Sequence, residues 1–516
     1  MSTRDSALRR SNLSMALARD RLGVRDIVFF NLSAAAPLTV VAGVVTTGFA
    51  TTGITGIPVA FLAVAVVLAL FAVGYVAMAR HVANAGAFYA YVSQGLGRPL
   101  GVGAAWMALL AYNLLQVGLY GLIGVAAAPL LEQWLGVRTT WWVVALAAWA
   151  LVAVLGVLRV DINGKVLAVL LGAEIALIVV FDVANLLHPA DGQVSLTTLS
   201  PQNLIAPGVG AILVLAVLGF VGFENSVVFS EESREPRRTV PRATYLSIVI
   251  IAVVYAVSAW AMTVAVGPSR VAAVSAAEGP EVMFNLASAQ LGALAADIGH
   301  ALLVTSIVAA MISFHNTTAR YAFALGRERV LPAAFGRTAR SGSPVVGSVF
   351  QSALGLAAIL LYAVAGWDPL VQLFYWLGTT GGIGVLLLIA ITSLAVPAYF
   401  ARQPSGESAW RRLGAPLLAA AGLLLVVALA LANVAELLGV APGSTLTWVV
   451  PGGYLALAVL GVAWGLVLRA TRPDVYRRIG LGAKSATSSG PLDLGVPAQR
   501  APAPVAAPAP AQEAYR

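Results

Sequence analysis

The stretch GFVGFENSVVFSEESREPRRTVPRA, residues 219–243, places polar groups where an apolar membrane helix normally has none. It begins as an apolar run, carries Glu224 and Asn225 inside that run, and ends in a strip dense in charge. A carboxylate inside a membrane helix costs about 2.5 to 3.5 kcal/mol on insertion scales, and it is a functional hypothesis by default. The stretch therefore predicts a membrane helix that is interrupted at a functional site.

The rest of the chain is equally apolar. Of its 516 residues, 59% are hydrophobic and 10% are charged, whereas about 25% of an ordinary soluble domain is charged. Most apolar runs reach about 20 residues, the length that a helix needs to cross a hydrocarbon core of roughly 30 Å. The strands of a membrane barrel would be about half as long. We therefore predict an all-α integral membrane protein.

The apolar runs between charged or Pro/Gly-rich breaks predict twelve membrane helices. They lie near residues 26–51, 57–79, 100–131, 140–158, 165–187, 207–230, 243–266, 293–325, 345–366, 369–400, 414–439 and 446–469. With both termini in the cytosol, every lysine and arginine except Arg138 and Arg270 falls on the cytosolic side, as the positive-inside rule requires. The net charge of +9 is then a signal of topology in the cytoplasmic membrane. We expect contact with the lipid bilayer and no nucleic-acid partner.

Two of the predicted helices are interrupted. The first contains SAAAPLTVVAG, residues 33–43, in which Pro37 removes a backbone donor. The sixth contains Gly219 and Gly222 around Phe220 and Val221. Either interruption alone is equally typical of a simple kink or of close packing. Together they occupy corresponding places in two five-helix halves, a pattern that indicates a transporter with inverted repeats and a site at the membrane midplane.

This pattern predicts the organisation of the chain. We expect a cytosolic arm over 1–25, a first five-helix repeat over 26–187, a second, inverted repeat over 207–400, helices 11 and 12 over 414–469, and a disordered cytosolic tail over 471–516. The arm has six arginines and no apolar core, so it is not a cleavable signal. The tail is rich in Pro, Ala and Ser.

Three segments resemble the amino acid–polyamine–organocation (APC) permeases. Residues 219–243 are similar to the sixth-helix signature of that family, residues 319–344 to its eighth-helix end, and residues 73–97, more weakly, to its second-helix end and re-entrant segment. The resemblance implies a leucine-transporter-type fold with a 5+5 inverted repeat and broken helices 1 and 6. It also implies a secondary active transporter that carries amino acids or related organic amines by alternating access, with the proton as the expected coupling ion; symport and exchange are both open.

The resemblance places the substrate at the two breaks. Candidate substrate contacts there are Ala35, Ala36, Pro37, Thr39 and Gly43 in the first helix and Gly219, Phe220, Gly222 and Phe223 in the sixth. The first helix departs from the family pattern, because alanines stand where many relatives have glycines. The two phenylalanines are candidates to close over the ligand, although they also fit an aromatic packing stripe. Tyr112 and Gln116 belong to a polar stripe on the third helix, which fits substrate contact or interhelical hydrogen bonds.

Two acidic residues are candidates for proton coupling. Glu224 fits proton or substrate handling, or a structural role as the acceptor that holds the unwound segment to a neighbouring helix. Glu174 lies nine residues after Lys165, about 14 Å along the fifth helix. It fits a proton relay, the neutralisation of a cationic substrate, or a hydrogen bond to a partner helix. For the charged strip after Glu224 we expect ion pairs across the inner mouth, or only a solvated loop.

Other function classes fit the sequence less well. A polyamine or cationic amino acid exchanger is the alternative transporter, in which Glu174 and Glu224 would face the additional positive charge of the ligand. A channel would not need paired helix breaks. An enzyme would need a convergent catalytic set, and the four histidines are scattered and cysteine is absent, so we expect neither catalysis nor a metal or cofactor. No P-loop motif occurs, which argues against ATP-driven pumping.

Overall fold

The computed structural model describes residues 13–14, 16–158, 160–206, 208–403 and 405–486. Within these ranges, eleven helices are long and apolar enough to cross a membrane, and Trp141–Val157 is a shorter apolar helix of 17 residues. Large apolar side chains such as Val169, Val364 and Leu455 are exposed on the outside of the bundle, as expected of a surface that faces lipid tails. The chain is a multi-pass membrane protein, and the count of twelve spans stays a prediction.

We number the twelve segments α1 to α12 in chain order. They are α1 Val24–Thr52, α2 Ile57–Ala79, α3 Arg98–Leu135, α4 Trp141–Val157, α5 Val160–Leu187, α6 Val209–Val227, α7 Pro236–Val266, α8 Ala293–Arg327, α9 Val345–Ala365, α10 Pro369–Arg402, α11 Trp410–Ala432 and α12 Leu446–Thr471. Shorter helices are Ala87–Gly95, Val271–Glu278, Glu281–Leu291, Val434–Leu438 and Pro473–Arg478. Two-residue strands, β1 Leu13–Ser14 and β2 Thr338–Ala339, pair antiparallel.

Two groups of helices make the core. One is built around α2, which packs against α6, α7 and α11, while α1 packs against α7. The other is built around α3, which packs against α8, α10 and α12. The segments that join helices at one end of the bundle carry most of the basic residues together with both described chain ends. We call this the basic end.

The structure contains both predicted helix interruptions. The first part of α1, Val24–Ala35, ends at Ala36, whose φ of 46° and ψ of 67° are left-handed, and the chain turns helical again at Pro37. Proline suits the first position of a helix because the N–H that it lacks would have no partner there. In α6 the helix Val209–Gly219 stops, and a 3₁₀ segment, Phe223–Val227, follows Gly222, whose φ is 122°.

The prediction that disorder begins at residue 471 does not hold for the first part of the tail. After α12, Pro473–Arg478 is helical and Gly482–Ala486 forms a 3₁₀ turn. Val475 and Ile479 are buried, and these apolar anchors hold the segment against the bundle. An average composition over the whole tail conceals these two side chains. Residues 487–516 of the predicted tail and 1–12 of the predicted arm lie outside the described residues.

Candidate functional site

The backbone breaks of α1 and α6 contact each other. A Cβ atom placed on Gly222 would lie 2.6 Å from the Cβ of Ala34 and 2.8 Å from the carbonyl oxygen of Asn31. The φ of +122° at Gly222 is also one that side-chain-bearing residues rarely adopt. Glycine is therefore required here for both its conformation and its size, and α6 contacts α1 at this point with no side chain of its own.

Asn31 fastens the first part of α1 to α6 and α7. Its side-chain amide donates to the carbonyl oxygen of Phe223 at 3.2 Å, and it lies 2.7 Å from Ser226 Oγ and 3.0 Å from Ser247 Oγ. All four residues are buried. Because an unpaired backbone group is costly away from water, this amide stabilises the carbonyl oxygen in the unwound part of α6.

Tyrosine hydroxyls bind two further backbone carbonyls at the breaks. Tyr255 of α7 donates to the oxygen of Ala35, the last residue of the first part of α1, at 2.8 Å. Tyr75 of α2 donates to the backbone oxygen of Glu224 at 3.0 Å. The ring of Phe220 lies 6.2 Å from that of Tyr255, between centroids. Helices α1, α2, α6 and α7 are thus joined through the broken segments themselves.

Glu174 of α5 caps the second part of α1. Its Oε1 accepts the backbone N–H of Leu38 at 2.6 Å and the hydroxyl of Ser306 at 2.9 Å, and Ser306 Oγ lies 3.4 Å from Thr39 Oγ1. The N–H groups in the first turn of a helix have no partner within that helix, and a negative charge there is favourable. A carboxylate that is 1% exposed is therefore placed where the restarted helix needs an acceptor.

Glu224 bridges the break in α6 to α3. One carboxylate oxygen accepts the hydroxyl of Tyr112 at 2.7 Å, and the other accepts the backbone N–H of Gly222 at 2.8 Å. The side chain is 1% exposed. Two donors from different helices therefore compensate the buried carboxylate, and the bond to Gly222 closes a tight loop over the break.

Most of the predicted site residues come together. Ala35, Ala36, Pro37, Thr39, Gly219, Phe220, Gly222, Tyr112, Glu174 and Glu224 lie at the two breaks or bond to them. Gly219 approaches α1, since a Cβ there would be 3.3 Å from Val40 Cγ1. A substrate held at the breaks would therefore have both glutamates nearby.

The other three predicted residues have no described side-chain bond to the breaks. Gly43 lies in a π-helical turn, Val40–Val45, and a Cβ there would meet nothing within 4 Å. The Gln116 amide donates to the hydroxyl of Tyr120 at 3.4 Å, and the Tyr120 ring packs on Gly355 of α9. The ring of Phe223 packs edge-on against Phe71 of α2, with centroids 6.1 Å apart.

Several partners at the site could not be predicted from the sequence. Tyr75, Tyr255 and Ser247 are polar residues with no distinctive spacing on apolar helices, and only the packing shows that they bind the breaks. Asn31 could have been predicted as a partner, because it is an amide side chain within an apolar run, six positions before Pro37.

Two ion pairs lie at the basic end. The Arg320 guanidinium binds both oxygens of Glu232 at 2.5 and 3.0 Å, and Arg327 binds both oxygens of Glu231 at 2.6 Å. The pairs join the segment after α6 to α8 and are nearly fully buried. Ion pairs do form here, but the partners are the acidic residues of the strip and arginines of α8, whereas Arg237 and Arg238 within the strip are exposed.

A multi-pass bundle in which two broken helices meet around buried carboxylates is the arrangement of a membrane transporter. The chain matches the amino acid permease family over residues 26–479, and it belongs to that family, which lies within the APC superfamily. The resemblance seen in the sequence is thereby confirmed. Proteins of this family are permeases, which transport their ligands and are not enzymes.

Individual relatives are distant. The chain is 23% identical over 385 residues to the low-affinity putrescine importer PlaP of Escherichia coli, covering 70% of this chain and 80% of that protein. It is 26% identical over 360 residues to a probable GABA permease of Pseudomonas aeruginosa, covering 66% and 71%. It is 26% identical over 186 residues to the lysine-specific permease LysP of Lactococcus lactis, covering 35% and 36%.

The contact between the breaks predicts the effect of Gly222→Ala on stability. Gly292→Ala is the matched control, because Gly292 also has a positive φ, of +94°, but a Cβ there would meet nothing within 4 Å. Overpacking costs about 1 to 3 kcal/mol, so we expect Gly222→Ala to unfold at a clearly lower temperature than Gly292→Ala in detergent. Equal melting temperatures would contradict a close contact at Gly222.

Proposed function

We propose that this permease is a secondary active transporter that moves amino acids or related organic amines across the cytoplasmic membrane by alternating access. The proton is the coupling ion, and the basic end faces the cytosol. The observation that carries the proposal is the contact between two broken helices, each with a buried glutamate bound to a backbone N–H. The twelve spans and the 5+5 inverted repeat belong to the same proposal.

The hydrogen bonds suggest which helices move together. Asn31, Tyr75 and Tyr255 bind α1, α2, α6 and α7 to one another through the broken segments. Other bonds join this group to α3 and α8, among them the bond from Tyr112 to Glu224, the bond from Ser313 to the backbone oxygen of Phe30 and the two ion pairs at the basic end. In our proposal the first group rocks against α3 and α8, and these cross-links break and form again in each transport cycle.

Proton coupling follows from the hydrogen bonds of Glu224. As a carboxylate it accepts from Tyr112 and from the Gly222 backbone at once. A proton on either oxygen adds an O–H donor and makes that oxygen a weaker acceptor, so the two bonds cannot both keep their strength and direction. A proton on the first oxygen reverses or weakens the bond that joins α6 to Tyr112 of α3, and a proton on the second weakens the bond to the Gly222 N–H and relaxes the break. Glu224, and not its tyrosine partner, is the proton site of this proposal.

One observation favours a second candidate, a polyamine or cationic amino acid exchanger. The start of a helix attracts carboxylate groups of ligands, yet Glu174 already binds the Leu38 N–H at the restart of α1. A ligand without a carboxylate, such as a diamine, would not compete with Glu174, and its ammonium groups would be attracted to both glutamates. Similarity to a putrescine importer supports the same candidate.

Uptake by the purified protein in proteoliposomes tests the function. We expect a pH gradient, acid outside, to drive accumulation of at least one of leucine, arginine and putrescine, with counterflow of the same ligand, because proton entry is coupled to ligand entry. Inhibition of uptake by putrescine, and by neither leucine nor arginine, would select the second candidate. No accumulation or counterflow of any of the three, or bilayer currents far above carrier turnover, would contradict the proposal.

Glu224→Gln predicts a change in pH dependence. An amide keeps the size of the side chain but cannot exchange a proton, so we expect gradient-driven uptake to fall by tenfold or more, about 1.4 kcal/mol, and its pH dependence to disappear. Counterflow, which needs no net proton movement, should be less affected. The control is Glu436→Gln, since Glu436 is exposed. A wild-type pH profile in Glu224→Gln would remove this residue from coupling.

A further inference from the structure

Another buried glutamate lies outside the proposed substrate site. Glu328 directly follows α8 at the basic end and is 0% exposed. Its Oε1 accepts from the Asn84 amide at 2.9 Å and the Gly482 backbone at 2.7 Å, and its Oε2 accepts from the Tyr89 hydroxyl and the Gly480 backbone, both at 2.5 Å. A buried carboxylate needs such donors to compensate its charge, and here half of them come from the C-terminal segment.

The C-terminal segment is shaped to fit this carboxylate. Gly480 and Gly482 have φ values of +80° and +61°, a conformation that turns nearby backbone N–H groups toward one anion. A Cβ on Gly480 would lie 2.7 Å from the Cβ of Ser93, and one on Gly482 would lie 2.7 Å from the oxygen of Ala83. Larger residues would therefore not fit at either position. We call Pro473–Ala486 the C-terminal strap.

Further contacts hold the strap along the helix Ala87–Gly95 and the start of α3. Gln94 donates to the oxygen of Gly480 at 3.1 Å, and Arg98 donates to the oxygen of Arg477 at 3.3 Å. Ile479 is fully buried. Polar and apolar contacts at defined positions therefore hold the strap, in addition to its bonds to the Glu328 carboxylate.

The strap is connected to the ion pairs that close the basic end. Arg327, next to Glu328 in the chain, binds Glu231 of the segment after α6. Glu231 also accepts the backbone N–H of Ala85, while the neighbouring Asn84 binds Glu328. One continuous network therefore links the strap, the loop after α2, the end of α8 and the segment after the broken helix α6.

We propose that the C-terminal strap is an autoinhibitory clamp, which binds Glu328 and must leave before the mouth between α6 and α8 opens at the basic end. While docked, it fixes the end of α8 to the loop that carries Asn84 and Ala85, and so it keeps Arg327 paired with Glu231. When the strap leaves, Glu328 loses two of four donors, and its charge is then better satisfied by water in an open mouth. The clamp rests on the proposed transport cycle, in which this mouth opens.

Two engineered cysteines report the two steps separately, because the chain contains no cysteine. Ser93→Cys lies beneath Gly480 and reports departure of the strap. Ser230→Cys, at a side chain that is 2% exposed beside Glu231, reports opening of the mouth. The full-length protein in nanodiscs is treated with a bulky polar maleimide, and the rate of labelling is measured for each cysteine.

The strap is loosened with Gly482→Ala, and Gly366→Ala is the matched control. Both glycines have a similar positive φ, +61° and +66°, but a Cβ meets the bundle only at Gly482. Glu328→Gln is a second loosening variant. We expect each loosening variant to raise the labelling rate of both cysteines by about tenfold, the population change that 1.4 kcal/mol produces, while the control leaves both rates unchanged.

Two results would overturn the clamp. Faster labelling at Ser93→Cys alone would mean that the strap leaves without opening the mouth. Unchanged rates at both cysteines in both loosening variants, even with a lower melting temperature, would mean that the strap only adds stability. Labelling requires no substrate, so an increase at both cysteines in a protein that fails the uptake assay would count against the proposed transport and not against the clamp.

Discussion

The close contact between Gly222 and the Ala34 region is the constraint on which the rest of the site depends. Two helices that break inside a membrane expose backbone N–H and C=O groups that lipid cannot satisfy. Each break therefore needs polar partners within the protein. Tyr255 supplies one for the oxygen of Ala35, Glu174 one for the N–H of Leu38, and Glu224 one for the N–H of Gly222. The buried polar residues follow from the broken backbones.

The same chemistry recurs at three joints of the fold. Glu174, Glu224 and Glu328 each accept a backbone N–H, and each also accepts from a side chain on another segment. A glutamate in this position holds two elements together only while it remains an acceptor and its partner remains in place. A proton or the departure of a segment can undo such a joint, whereas apolar packing responds to neither. The joints are thus suited to regulate movement.

Much of the fold and part of the site could be predicted from the sequence. Apolar run lengths located the membrane helices, and Pro37 with Gly219 and Gly222 located the breaks. The depth of Glu174 in its predicted helix indicated that it is buried. Its bond to the Leu38 N–H depends on how α5 packs against α1, and the periodicity of a single helix carries no information about that packing. Tyr255 and Tyr75 stayed hidden for the same reason. The strap was missed because a composition average conceals the few side chains, such as Ile479, that dock it.

In the transport cycle that we propose, the protonation of Glu224 controls the connection between the broken helices and the rest of the bundle. Spin labels on Arg237→Cys, at the start of α7, and Ala334→Cys, after α8, occupy exposed positions on the two groups of helices. The distance distribution between them is measured over a pH series by pulsed electron paramagnetic resonance. We predict a second distance whose population grows as the pH falls. In Glu224→Gln this population becomes independent of pH. The same pH response in both proteins would mean that Glu224 does not control this connection.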